Sequence, residues 1–122
     1  IIIIYNNMFI QTQITPNPNS LKFLPGRKVS NTDTAEFLNK DDTDNILIRN
    51  ILSIDGVESV FIGLDFVSIN KNEKKDWEDI KHIVISLINE FYDQGNELII
   101  DKNINKNNSE DFKDIEKKII NI

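Results

Sequence analysis

The stretch Val57-Glu58-Ser59-Val60-Phe61-Ile62-Gly63-Leu64-Asp65-Phe66-Val67-Ser68-Ile69-Asn70 decides the fold. Residues 57–62 and 66–70 are rich in β-branched and aromatic side chains, and Gly63-Leu64-Asp65 separates them. Two such runs joined by a short glycine-containing loop predict a β-hairpin. Alternation then places Val60 and Ile62 on one face with Val67 and Ile69. That face needs a cover, and the following residues supply it. Trp77, Ile80, Ile83, Val84, Leu87, Ile88 and Phe91 recur at helical spacing as one broad apolar stripe. Asp76 is the expected N-cap, Asp79 the completion of a weak capping box, and Gly95 the stop. Asp76, Glu78 and Asp79 oppose the positive end of the helix dipole, a fuller account of these acids than acid–base catalysis.

Working upstream, residues 8–14 alternate, with Phe9, Gln11 and Gln13 on one face and Ile10, Thr12 and Ile14 on the other. Period two predicts a half-buried strand. Pro16 and Pro18 end it, because each lacks an amide donor and holds its predecessor extended. Residues 20–24 form a second short strand closed by Pro25-Gly26. Residues 27–42 show no clear period and are expected to be mostly loop, with one helical turn at residues 35–38. Asp44 or Asn45 then caps a helix with the stripe Leu47, Ile48, Ile51 and Leu52, and Gly56 is its expected left-handed stop.

Downstream, residues 98–100 are an apolar patch suited to one more edge strand. Residues 101–110 are polar and expected as a linker, and Phe112, Ile115, Ile119 and Ile122 repeat at helical spacing. The expected fold is α+β. A two-layer sandwich carries two helices on one face of a mainly antiparallel four-stranded sheet, in the order β-β-α-β-β-α, with the linker and a short helix after it.

Bulk properties narrow the function. A chain of 122 residues suits about one domain with a real core. The absence of cysteine excludes disulfides, thiolate zinc sites, thiolate ligation of iron–sulfur clusters and a cysteine nucleophile within these residues. A net charge of −6 opposes phosphate backbones and anionic membranes, so neither nucleic acid nor membrane is an expected partner. No apolar run approaches the roughly 20 residues needed to span a bilayer. The abundant Ile, Asn and Lys fit an AT-rich codon bias. Met8 is the first methionine, and residues 1–7 are read as an upstream extension.

Candidate catalytic and metal groups are sparse. His82 is the single histidine and has no triad-type spacing around it; the rival reading of a small hydrolase requires it to share a cleft with an acid. Asp41, Asp42 and Asp44, with Asp33 nearby, lack the glycine and glutamate of an EF-hand loop, and loop solvation with helix capping accounts for them.

Several separated motifs carry a family resemblance. Met8-Phe9-Ile10-Gln11-Thr12, followed by Thr15-Pro16-Asn17-Pro18-Asn19-Ser20-Leu21-Lys22-Phe23-Leu24-Pro25-Gly26, resembles the opening of the Nfu/NifU-type N-terminal domain. Ile54-Asp55-Gly56-Val57, Val60-Phe61-Ile62-Gly63, Asp65-Phe66-Val67-Ser68-Ile69 and Asp76-Trp77 resemble that domain's later signatures in order and spacing. The resemblance covers residues 8–95 and extends the expected domain over residues 8–100.

It implies a role in iron–sulfur cluster assembly and delivery. Family members pair this domain with a C-terminal C-x-x-C domain, and two such domains hold a four-iron four-sulfur cluster passed to client apoproteins. Residues 111–122 are similar to the first helix of that cluster domain, and no C-x-x-C follows, so a truncated protein, a split gene or a deliberately shortened chain is expected. No cofactor-binding residue carries over. What carries over is an accessory, non-enzymatic role in contacting iron–sulfur assembly factors and client apoproteins. The expected contact residues are Pro16, Asn17, Pro18, Asn19, Lys22 and Arg27. The alternatives are a structural crossover at this segment, a remnant without a role, or an independent binding module. With no transit or signal segment visible, the bacterial cytoplasm is expected ahead of the mitochondrial matrix.

Overall fold

The computed structural model of the protein describes residues 10–30 and 33–100. Five strands, β1 (Gln11–Ile14), β2 (Ser20–Leu24), β3 (Ala35–Phe37), β4 (Val57–Ile62) and β5 (Val67–Lys71), form one antiparallel sheet in the order β1-β2-β5-β4-β3. Two helices, α1 (Ile46–Leu52) and α2 (Trp77–Asp93), supply the second layer. The expected linker and last helix, and residues 1–7, lie outside the described residues.

The β4–β5 hairpin forms as expected, with Val60 opposite Ile69 and Ile62 opposite Val67. β2 continues the apolar face by setting Leu21 opposite Ile69 and Phe23 opposite Val67. These side chains are buried together with Leu47, Ile48 and Ile51 of α1 and Ile80, Val84, Ile88 and Phe91 of α2. The other sheet face carries Ser20, Lys22, Phe61, Ser68 and Asn70, and neither α1 nor α2 covers it. There Phe61 and Phe66 stack with centroids 5.9 Å apart.

Four local expectations change. The helical turn at residues 35–38 is instead β3, a fifth strand, with Phe37 opposite Val60 and buried. A separate 3-10 turn follows at Lys40–Asp42. Strand β1 is exposed along its whole length rather than half-buried, because it lies at the sheet edge beyond the helices, and Ile14 is 85% exposed. Asp76 occupies the N-cap of α2, but its side chain makes no capping hydrogen bond, so no capping box forms. The apolar patch at residues 98–100 is not one of the sheet's strands; Leu98 makes an isolated parallel bridge to Ser30, and Leu98 and Ile100 are buried in the core.

Asn45 is the cap of α1, its Oδ1 accepting from the Ile48 amide at 3.1 Å. Gly56 is left-handed with φ of 98°, but it serves the turn into β4; the α1 C-cap is Ser53.

Candidate partner-contact site

The connection from β1 to β2 is built almost entirely from its own side chains. The Asn17 amide donates to Thr15 Oγ1 at 3.1 Å, and the Thr15 hydroxyl donates to the Asn17 carbonyl at 2.9 Å. Asn17 Oδ1 accepts from the Asn19 amide at 2.9 Å, the Asx-turn geometry that favours asparagine in turns. The Ser20 amide donates to the Asn17 carbonyl at 3.0 Å. Pro16 and Pro18 need no partner for a donor they lack.

Three further bonds tie this loop to the body. Trp77 Nε1, on the first residue of α2, donates to the Pro18 carbonyl at 3.0 Å. Lys71 Nζ donates to Asn19 Oδ1 at 3.0 Å, and the Lys71 amide donates to the Asn19 carbonyl at 2.8 Å. The Trp77 ring meets Phe23 edge-on at 6.4 Å and lies 5.6 Å from the Lys71 ammonium. The loop is therefore fixed from within and from below, while Pro16, Asn17 and Pro18 remain exposed.

Of the six expected contact residues, the structure gathers Pro16, Asn17, Pro18 and Asn19 in this loop. Lys22 stands mid-strand on the uncovered sheet face, its ammonium 4.5 Å from the Phe66 ring centroid. Arg27 lies over the Tyr92 ring at 4.3 Å, at the other end of α2. Trp77 and Tyr92 are separated by about 22 Å of helix at 1.5 Å per residue, so Arg27 and the loop belong to different surfaces.

Sequence reasoning does not assign the anchoring role to either residue that holds the loop. Trp77 stands in the apolar stripe and among the family motifs, but neither reading gives its indole N–H a role. Lys71 extends the alternation Val67, Ile69 onto the core face, and that unexpected lysine in an inward register was the available signal.

Beside the loop opens a polar cleft of about 420 Å³, lined by Asn17, Asn19 and Lys71 together with Glu58, Asn70, Asn72, Glu73 and Lys74. Asn72 is satisfied twice, its Nδ2 donating to Glu58 Oε2 at 3.2 Å and its Oδ1 accepting from the Lys74 amide at 2.8 Å. Next to the cleft, Lys75 pairs with Asp55 at 2.7 Å, and that hydrogen bond and charge hold the Lys75 ammonium above its ordinary range.

His82 is exposed on α2 and its side chain shares no hydrogen bond or ion pair with a described acid, the arrangement that the hydrolase reading requires. The acidic residues near α1 have local duties: Asp33 Oδ1 accepts from the Thr34 amide at 2.8 Å, and Asp41 lies 3.9 Å from Arg49. Among the described residues, no group of three or more His, Asp or Glu side chains is arranged to hold a metal ion.

A family model described as scaffold protein Nfu/NifU N terminal matches residues 10–95. The chain belongs to this family. The Nfu/NifU N-terminal domain here is 43% identical over 97 residues to the human NFU1 iron-sulfur cluster scaffold homolog, mitochondrial, covering 78% of this chain and 38% of that protein. It is 42% identical over 95 residues to NifU-like protein 4, mitochondrial, of Arabidopsis thaliana, covering 77% of this chain and 34% of the relative. The chain thus spans little more than a third of the length of these relatives.

Among solved structures, a NifU-like protein from Saccharomyces cerevisiae superposes with a TM-score of 0.65 at 34% identity, over 73% of this chain and 82% of that one. A Staphylococcus aureus protein gives 0.59 at 28% identity, over 66% and 99%. In this Nfu/NifU N-terminal domain, the proline–asparagine run of the sequence is the pinned loop, and Trp77 is its latch.

Proposed function

We propose that this chain acts as the partner-contacting, non-enzymatic module of an iron–sulfur cluster scaffold, engaging assembly factors or client apoproteins while ligating no cluster itself. The observation that carries this reading is the loop at residues 15–20, which is rigidly held yet leaves Pro16, Asn17 and Pro18 in solvent. A surface that is ordered before binding loses less conformational entropy when it binds. Relatives named as iron–sulfur cluster scaffolds support the process assigned here.

The test is recovery of partners from a lysate containing iron–sulfur assembly factors and clients, with wild type and the double variant Asn17→Ala/Asn19→Ala as baits. Loss of recovery by a folded double variant is expected. Equal recovery overturns the loop as contact surface. Anaerobic reconstitution with iron and sulfide tests the second half of the proposal: no stoichiometric visible chromophore is expected, because these 122 residues offer no thiolate.

Compartment follows the relatives more than the sequence. Those matched at 41–43% identity carry mitochondrial names, which weakens the bacterial-cytoplasm expectation and favours the matrix where the source cell has one. Fractionation of the source cells decides between the two.

A further inference from the structure

Lys71 is the one charged residue buried among the described residues, at 8% exposure. Its ammonium donates to Asn19 Oδ1 at 3.0 Å and to the Asn72 carbonyl at 3.4 Å, and faces the Trp77 ring. All three neighbours are neutral, and Lys71 forms no ion pair with any described residue. A lysine ammonium has three N–H donors, and buried charges are as a rule paired. The third N–H has no acceptor among the described residues, and the polar cleft opens at this side chain, with Glu58, Glu73 and Lys74 farther along its lining.

The surrounding amides point the same way. Asn17 and Asn19 each commit the side-chain oxygen, to the Asn19 amide and to Lys71 respectively. Their NH2 groups bond to no described residue, so the cleft offers N–H donors beside a buried cation. The complementary ligand carries two acceptor oxygens and a negative charge. Glu58 and Glu73 on the same cleft oppose a second negative charge, which favours a carboxylate over a phosphate dianion.

We propose that this cleft receives the carboxylate of a single Asp or Glu side chain, set in an otherwise uncharged segment of a partner protein. Lys71 is the counter-ion, and the Asn17 and Asn19 amides are flanking donors. The proposal rests on the reading of the loop as a partner surface and adds the chemistry of what docks there.

The test titrates the isotope-labelled chain with a terminally blocked Ser/Ala peptide bearing one central Glu, with its Gln counterpart, and with inorganic phosphate. Saturable shifts of the Asn17, Asn19, Lys71 and Asn72 amides are expected with the Glu peptide, at least tenfold weaker with Gln, since a charge-assisted bond is lost, and weaker with phosphate. Absent shifts, equal response to Gln, tighter binding of phosphate, or shifts centred on Arg27 overturn it.

Asn19→Asp separates binding from folding. It places a carboxylate where Lys71 already bonds, so the melting midpoint is expected to hold or rise while affinity for the Glu peptide falls at least tenfold. Retained affinity overturns the proposal. Lys71→Met is expected to lose the peptide as well, and if that variant does not fold, Asn19→Asp decides alone. Partner recovery lost in Asn17→Ala/Asn19→Ala but kept in Asn19→Asp overturns the carboxylate assignment and leaves the loop reading standing.

Discussion

Asn19 uses its amide on Asn17 and both its carbonyl and its side-chain oxygen on Lys71, and only the first of these bonds is local. The prolines and asparagines of the run announced a constrained turn, because their backbone preferences are intrinsic. The lysine and tryptophan that hold the turn were hidden, because they lie more than fifty residues away in sequence. Tyr92 is similar: the sequence places it next to the helix stripe, and the structure buries it with its hydroxyl donating to the Val29 carbonyl at 3.3 Å. Burial pushes the Tyr92 phenol above its ordinary 10.0, with Arg27 opposing. A raised folded value means the unfolded chain ionises first. The stabilisation is complete below about pH 10 and is lost as pH rises through the raised value. Tyr92→Phe is expected to cost about 1 kcal/mol at neutral pH through the lost hydrogen bond. It should also unfold with a shallower decline than wild type above pH 10, measured by urea denaturation at several pH values.

Among the elements, the hairpin and α2 were legible because each repeats its period over many residues. β3 was not, since three residues cannot display a period and its pairing with β4 is non-local. The exposure of β1 was equally invisible: alternation reports two faces, but not whether a helix reaches them. The β4–β5 turn depends on Gly63 for space rather than for backbone angle. A Cβ there would lie 2.5 Å from the Phe66 ring, which the Phe61 stack and Lys22 hold in place. Gly63→Ala is expected to destabilise by roughly 1–3 kcal/mol, as overpacking does. Ring-current shifts at Phe61 and Phe66 should move with it, and unchanged aromatic resonances together with wild-type stability would count against the close approach.

At the level of the whole molecule, the family match ends at residue 95, but the core does not. Leu98 is fully buried, Ile100 is 6% exposed, and both belong to the same apolar cluster as Phe23 and Ile88. A chain of residues 10–100 is therefore expected to unfold at a higher midpoint than one of residues 10–95. One ending at residue 95 should lose at least about 2–5 kcal/mol, comparable to truncating one buried aliphatic side chain. Calorimetry of the two truncations checks this, and equal midpoints would move the boundary back to residue 95. The fold class was readable because two apolar faces of different period must cover each other. The proposed partner surface was readable only in part, because its stiffness comes from tertiary bonds.

Trp77, the single tryptophan, has its indole N–H bonded to Pro18 and its ring facing Lys71. The molecule thus carries one indole fluorophore, selectively excited at the red edge where its tyrosines do not absorb, seated under the loop proposed to meet partners. A shift in its emission on titration reports loop engagement without any label, and stopped-flow mixing turns the same signal into association and release rates.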